Sequence, residues 1–80
     1  MTIQQKKELI EILNLHIKRF YNDMNDHWSA SDYATDEMCR TEIDRLEWQY
    51  KQKYGSVPEY ETIDDIFKER KRLVAEVENA

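Results

Sequence analysis

Few side chains of the chain are suited to catalysis. The two histidines and the one cysteine, His16, His27 and Cys39, leave few catalytic options. Cys39 has carboxylates near it in sequence and no histidine, and carboxylates disfavour the reactive thiolate. The sequence has neither a nucleophile elbow nor a Gly-rich phosphate-binding loop, because a single glycine is too few for either. The sequence therefore predicts a protein that is not an enzyme.

The segment before His27 is the best candidate for a metal site. On a continuing helix Asp23, Asp26 and His27 would share one face, because residues three and four apart are neighbours. Zinc needs four ligands, or three and a water, so Asp32, Asp36 or a more distant residue would have to complete the site. The same stretch lacks the Gly and the final Glu of a calcium-binding EF-hand loop. We expect no metal site and no cofactor.

Hydrophobic periodicity predicts three helices that position these residues, over about 3–25, 35–54 and 63–78. Thr2 and Thr62 have the spacing of N-terminal caps for the first and third helices. The second helix is expected to start at Thr35, with Ser31 as the rival start. It should end at Gly55. The apolar stripe of the first helix is wide, which indicates contact with two neighbours. It contains Ile3, Leu9, Ile10, Ile12, Leu13, Ile17, Phe20 and Met24.

The predicted fold class is all-α, a compact three-helix bundle that forms a single domain over residues 1–80. One Gly and one Pro occur in the chain, and both lie within 55–58. The two predicted connections, about 26–34 and 55–62, are short, and short connections favour antiparallel neighbours. We therefore expect an up-down-up path. The alternative is a hairpin of the first two helices with a loosely attached third helix.

The net charge of −5 limits the partners. Binding to nucleic acid or to an anionic membrane needs clustered Lys and Arg, so we expect neither. The basic run at 67–73 is broken by Glu69 and is interpreted as a solvated helix face. No apolar run approaches the length of a membrane span, and the N-terminus lacks the apolar centre of a signal peptide. A cytoplasmic location is the expectation.

Negative charge is concentrated in one segment. Residues 22–39 contain five acids and no Lys or Arg, while the rest of the chain has twelve acids and twelve basic residues. A second acid-only stretch covers residues 54–67 and is followed by the basic run. In an up-down-up bundle the two connections lie at opposite ends. One end of the molecule should then be strongly negative.

The acidic segment also supplies the predicted partner-binding residues. Carboxylates in a first helical turn stabilise the helix, which explains some of the acids. Asp23 and Asp26 lie near the C-terminal end of the first helix, where negative charge is unfavourable. Acids around an aromatic anchor are one way to recognise a basic protein surface. The predicted set is Asp23, Asp26, Trp28, Asp32, Tyr33, Asp36 and Glu37.

The functional expectation is a small acidic inhibitor or regulator that binds a partner protein with a basic surface. In its sharpest form, carboxylates occupy a nucleic-acid-binding groove of the partner in place of phosphates. The chain resembles small accessory proteins of phages and mobile elements in general character only, and no motif assigns it to a named family. The alternative is a helical homo-oligomerisation or scaffold module, such as a homodimer through the first helix. Exposure of Trp48 would point to an interface.

Overall fold

The computed structural model describes all 80 residues and contains three helices and no strand. They are α1 (Ile3–Asp23), α2 (Ala30–Tyr54) and α3 (Ile63–Glu78). α1 packs against both α2 and α3, as the width of its apolar stripe predicts. The predicted all-α three-helix bundle is therefore confirmed.

Local capping chemistry defines three of the helix ends as predicted. The hydroxyl of Thr2 accepts a hydrogen bond from the backbone N–H of Gln5 at 3.1 Å. Thr62 does the same for Asp65 at 3.2 Å. α2 ends before Gly55, whose φ of 93° lies in the left-handed region where a side chain is strained. These ends depend on residues close in sequence, which is why the sequence predicts them.

The predicted start of α2 at Thr35 is wrong, and so is the rival start at Ser31. The helix begins at Ala30 and is capped by Ser29. The Asp32 carboxylate accepts hydrogen bonds from the backbone N–H of Ser29 at 2.8 Å and from its hydroxyl at 3.1 Å. The first two turns of α2 contain no buried residue, so hydrophobic periodicity does not reveal them. α1 also ends earlier than predicted, at Asp23.

The predicted up-down-up path is also wrong, because α3 runs antiparallel to α1. Lys6 near the start of α1 pairs with Glu76 near the end of α3, at 3.0 Å. The ring of Phe20 near the end of α1 meets that of Phe67 near the start of α3, with 6.3 Å between centroids. α2 is antiparallel to α1 as well, so α2 and α3 are parallel and flank α1.

Residues 55–62 must therefore cross the length of the bundle. The hydroxyl of Tyr54 donates to the Glu8 carboxylate, which places the end of α2 beside the start of α1. The helical rise from Glu8 to Phe20 is about 18 Å, and eight extended residues can span about 26 Å. Val57 and Tyr60 pack against the core along this crossover. The short connection is extended rather than a turn, and for this reason the rule of antiparallel neighbours fails.

Seven of 80 residues are buried. Five of them form one cluster in the half of the molecule that holds the N-terminus of α1, while Cys39 and Ile43 lie in the first half and the middle of α2. Residues 14–38 contain no buried side chain. The end where α1 finishes and α2 and α3 begin is therefore packed without a fully buried residue. The buried residues are Leu9, Ile12, Leu13, Cys39, Ile43, Tyr50 and Leu73.

Candidate functional site

The direction of α3 brings the later part of the second acid-only stretch, from Glu61 to Asp65, to the same end of the molecule as the first stretch. The C-terminus of α1 meets the N-termini of α2 and α3 there. Asp23 and Glu61, one from each stretch, line one shallow depression. The expectation that the second stretch lies at the opposite end is therefore wrong, since it assumed an up-down-up path. We call this surface the acidic end and define it by Asp23, Asp26, Asp32, Asp36, Glu37, Glu61, Asp64 and Asp65.

The carboxylates of these stretches are mostly not neutralised by the chain itself. Residues 22–39 and 54–67 hold nine acids, and only Asp36 lies within 4 Å of a Lys or Arg nitrogen, that of Arg19 at 2.9 Å. Four of the eight acids elsewhere have such a partner, namely Glu8, Glu42, Glu69 and Glu76. The rest of the chain also carries all twelve Lys and Arg residues. The acidic end therefore presents uncompensated negative charge to solvent.

Two of the predicted partner-binding acids have structural roles. Asp32 organises the turn between α1 and α2 through Ser29, and its backbone carbonyl accepts from the side-chain amide of Asn22 at 2.9 Å. Asp36 joins α2 to α1 through Arg19, and its side chain is 16% exposed. These two carboxylates contribute charge to the acidic end but already have partners within the molecule.

Three other predicted acids are free to meet a partner. Asp23, Asp26 and Glu37 are exposed and take part in no ion pair. Asp23 is the last residue of α1, where the negative end of the helix dipole disfavours a carboxylate. Their charge is therefore not required by any contact that they make within the protein.

The second acid-only stretch adds carboxylates that the sequence prediction did not include. Asp64 and Asp65 lie in the first turn of α3, where the positive end of the helix dipole favours negative charge. Asp32 has the corresponding place in α2. Two helix N-termini thus offset part of the repulsion among the carboxylates, and the fold can hold them together. The acid-only composition of 54–67 indicated these carboxylates, but composition does not predict the extended crossover that places them at the acidic end.

Aromatic and apolar side chains lie among these carboxylates. Trp28 is half-buried and packs edge-to-face against Tyr33, with ring centroids 4.9 Å apart, while Tyr33 is 64% exposed. Tyr21 and Met24 are also exposed, and the sequence prediction missed both. Met24 was expected in the apolar stripe of the first helix. It leaves that stripe because α1 ends at Asp23.

The remaining chemical groups do not assemble into a second site. α1 ends at Asp23, so neither Asp26 nor His27 shares a helical face with Asp23. No three His, Cys, Asp or Glu side chains are placed to hold a metal ion. His16 lies 3.8 Å from the Glu47 carboxylate, between α1 and α2. Cys39 is buried.

Comparison with known proteins gives no relative from which a function could be transferred. No family model matches the chain, and no curated protein or solved structure matches it. None of the three helices is long and apolar enough to cross a membrane. The acidic end is the most distinctive surface that remains to be explained.

Proposed function

We propose that the protein is a non-enzymatic interaction module whose acidic end binds a basic surface of a partner protein. One observation carries the proposal: eight carboxylates from both acid-only stretches lie at one end, and Asp36 alone has a Lys or Arg partner. A basic partner supplies the counter-charges that the chain does not. Complementary charge of this kind accelerates association and selects the partner.

The apolar side chains at the acidic end support the same proposal. Charge steers the approach of two proteins, but the binding free energy comes mainly from a few well-buried aromatic and apolar contacts. Tyr33 and Tyr21 are exposed beside the carboxylates, and Met24 is 62% exposed. Aromatic residues and Met are enriched in interfaces relative to the rest of protein surfaces. The acidic end thus combines a charged rim with candidate anchors.

In its more specific form, the protein is a small acidic inhibitor or regulator of the phage or mobile-element type. Its target would be a protein that binds nucleic acid, because the grooves of such proteins are lined with Lys and Arg. The carboxylates of the acidic end would then stand where phosphates bind. The proposal requires no catalytic group.

Affinity capture from cells of the source organism tests the proposal, with two variants that have the same net charge. The first, D23N/D26N/E61Q, removes three carboxylates of the acidic end. The matched control, E11Q/E59Q/E78Q, removes three exposed carboxylates outside the acidic end and outside α2. None of the six takes part in an ion pair.

We expect the wild type and the control to retain the same partner, and the acidic-end variant to lose it. The three exposed charges should together change the affinity by about 5- to 150-fold, at a few tenths to 1 kcal/mol each. Equal retention by both variants would contradict docking through the acidic end. Duplex DNA or RNA should displace the captured partner, and failure to do so would exclude the nucleic-acid-mimic form.

A further inference from the structure

The outer face of α2 is a second surface with unexplained exposed residues. α2 is 25 residues long and packs against α1 on one side. On the opposite side Met38 is 67% exposed and Trp48 is 64% exposed. Alternating steps of four and three residues place a row of side chains on that side, as in the seam of a coiled coil. We call this row the α2 seam; it consists of Ala34, Met38, Thr41, Arg45, Trp48 and Gln52.

The accessible surface of the single chain is larger than that of a typical monomeric protein of the same mass. It is 5811 Å² for 9.8 kDa, whereas a monomeric protein of this mass exposes about 5,200 Å². The excess of about 600 Å² is close to the ~800 Å² that each partner buries in a standard interface. The radius of gyration of 13.6 Å also exceeds the ~11.6 Å typical of 80 residues. The excess reflects the elongated shape of the chain, 41 × 24 × 22 Å, and a second copy packed along the length of α2 would reduce it.

We propose that the α2 seam binds the same seam of a second copy of this chain, with the two α2 helices antiparallel. The seam is symmetric about residue 43, and the midpoint of α2 is residue 42, so the two helices overlap along nearly their whole length. In this register Met38 of each copy lies opposite Trp48 of the other. Contacts between a thioether and an aromatic ring are favourable, and the two-fold axis supplies two of them.

Charges beside the seam fit the same register. Residue 37 of one copy lies beside residue 51 of the other, which pairs the Glu37 carboxylate with the Lys51 ammonium group at two symmetric places. Lys51 is exposed and takes part in no ion pair in the single chain. Near the axis, Arg45 binds Glu42 of its own copy at 2.7 Å and lies beside both copies of Asp44. The two Asp44 carboxylates repel each other there and weaken the dimer.

The antiparallel arrangement keeps both acidic ends accessible. Each acidic end includes the N-terminus of its α2, and antiparallel pairing places these N-termini at opposite ends of the dimer. Glu37 is the one acidic-end residue that the dimer would engage, and the other seven carboxylates stay accessible. The dimer would present two docking surfaces instead of one.

Sedimentation velocity over about 1 µM to 1 mM tests the dimer, with a dissociation constant on the order of micromolar expected. Trp48→Ala should raise that constant about 100-fold or more, because each dimer loses two central aromatic anchors. Tyr33→Ala is the matched control, since Tyr33 is also 64% exposed but lies outside the seam. Far-UV circular dichroism checks that each variant is folded. A protein that stays monomeric, or a dimer unaffected by Trp48→Ala, overturns the proposal.

Charge reversal tests the register. Glu37→Lys alone and Lys51→Glu alone each place like charges side by side, so each should weaken the dimer. The double variant restores opposite charges at both places and should recover the wild-type dissociation constant. Asp44→Asn should strengthen the dimer by removing the repulsion at the axis. Single reversals without rescue by the double variant would overturn the antiparallel register.

Discussion

The position of the core predicts that neighbouring turns of α1 contribute unequally to stability. Leu13 is 0% exposed and belongs to the cluster that contains Tyr50 and Leu73. Ile17 lies one helical turn nearer the acidic end and is only half-buried. We compare Leu13→Ala with Ile17→Ala, because both truncate a four-carbon side chain to a methyl group in the same helix. The comparison tests whether the core stops short of the acidic end.

The expected losses follow from burial. Truncation of a fully buried Leu costs about 3–4 kcal/mol, because apolar area is lost and a cavity remains. Truncation of the half-buried Ile17 should cost about half as much, since part of its surface already faces water. An 80-residue domain has a free energy of unfolding of about 4–12 kcal/mol, and a core of seven residues favours the lower part of that range. Leu13→Ala should therefore lower the Tm by about 15 °C or more.

Urea unfolding followed by far-UV circular dichroism measures both losses. The slope of the free energy against urea concentration should stay unchanged, which shows that the two variants unfold from equally compact states. A loss for Ile17→Ala that equals or exceeds the loss for Leu13→Ala would refute the reasoning. It would mean that the packed core extends to the acidic end.

Backbone strain and titration give further predictions. Gly55→Ala should lower the free energy of unfolding by about 1–2 kcal/mol, because a side chain is strained at a φ of 93°. An added Cβ meets nothing within 4 Å, so no steric clash adds to this cost. Ser56→Ala, measured by the same urea titration, is the control. Hydrogen bonds from Lys53 and then Tyr54 hold the pKa of Glu8 below its usual 4.5. The resulting stability is present above pH 4.5 and is lost as the pH falls through the lowered value, so Glu8→Gln should flatten the fall of Tm below about pH 5. The hydrogen bond to Glu8 raises the pKa of Tyr54 to about 12, and its contribution is present below pH 10 and is lost toward pH 12. Burial raises the pKa of Tyr60 to about 12 as well, so Tyr54→Phe should remove one of two tyrosines from the late rise in tyrosinate absorbance.

The sequence predicts those features of the fold that depend on local chemistry. The caps at Thr2 and Thr62 and the stop at Gly55 each involve residues within four positions of one another. The wide stripe of α1 correctly indicates two neighbours, because a helix that packs on two sides needs apolar residues over a wider part of its surface. The first turns of α2 contain no buried residue and so show no apolar pattern, and for that reason the sequence prediction missed Ser29 as the cap.

The direction of α3 depends on contacts between distant residues and could not be predicted this way. An eight-residue connection can form a turn or can extend, and only packing decides between them. Here Val57 and Tyr60 pack on the core and make the extended crossover favourable. The charge distribution of the whole molecule follows from this choice, since it moves Glu61, Asp64 and Asp65 to the acidic end.

The candidate site was therefore predicted in part. Its centre in residues 22–39 follows from charge composition alone. The structural roles of Asp32 and Asp36 and the exposure of Tyr21 and Met24 depend on where α1 ends and α2 begins. Partner recognition by Asp23, Asp26, Trp28 and the rest of the predicted set stays a prediction until a partner is measured.

The most direct test of docking through the acidic end is the salt dependence of the dissociation constant for the captured partner. We predict that the affinity of the wild type falls as salt rises, because counter-charges across an interface are screened. The D23N/D26N/E61Q variant should bind more weakly and with a smaller dependence on salt, whereas E11Q/E59Q/E78Q should match the wild type in both. An unchanged affinity and an unchanged salt dependence in the acidic-end variant would contradict the proposed function.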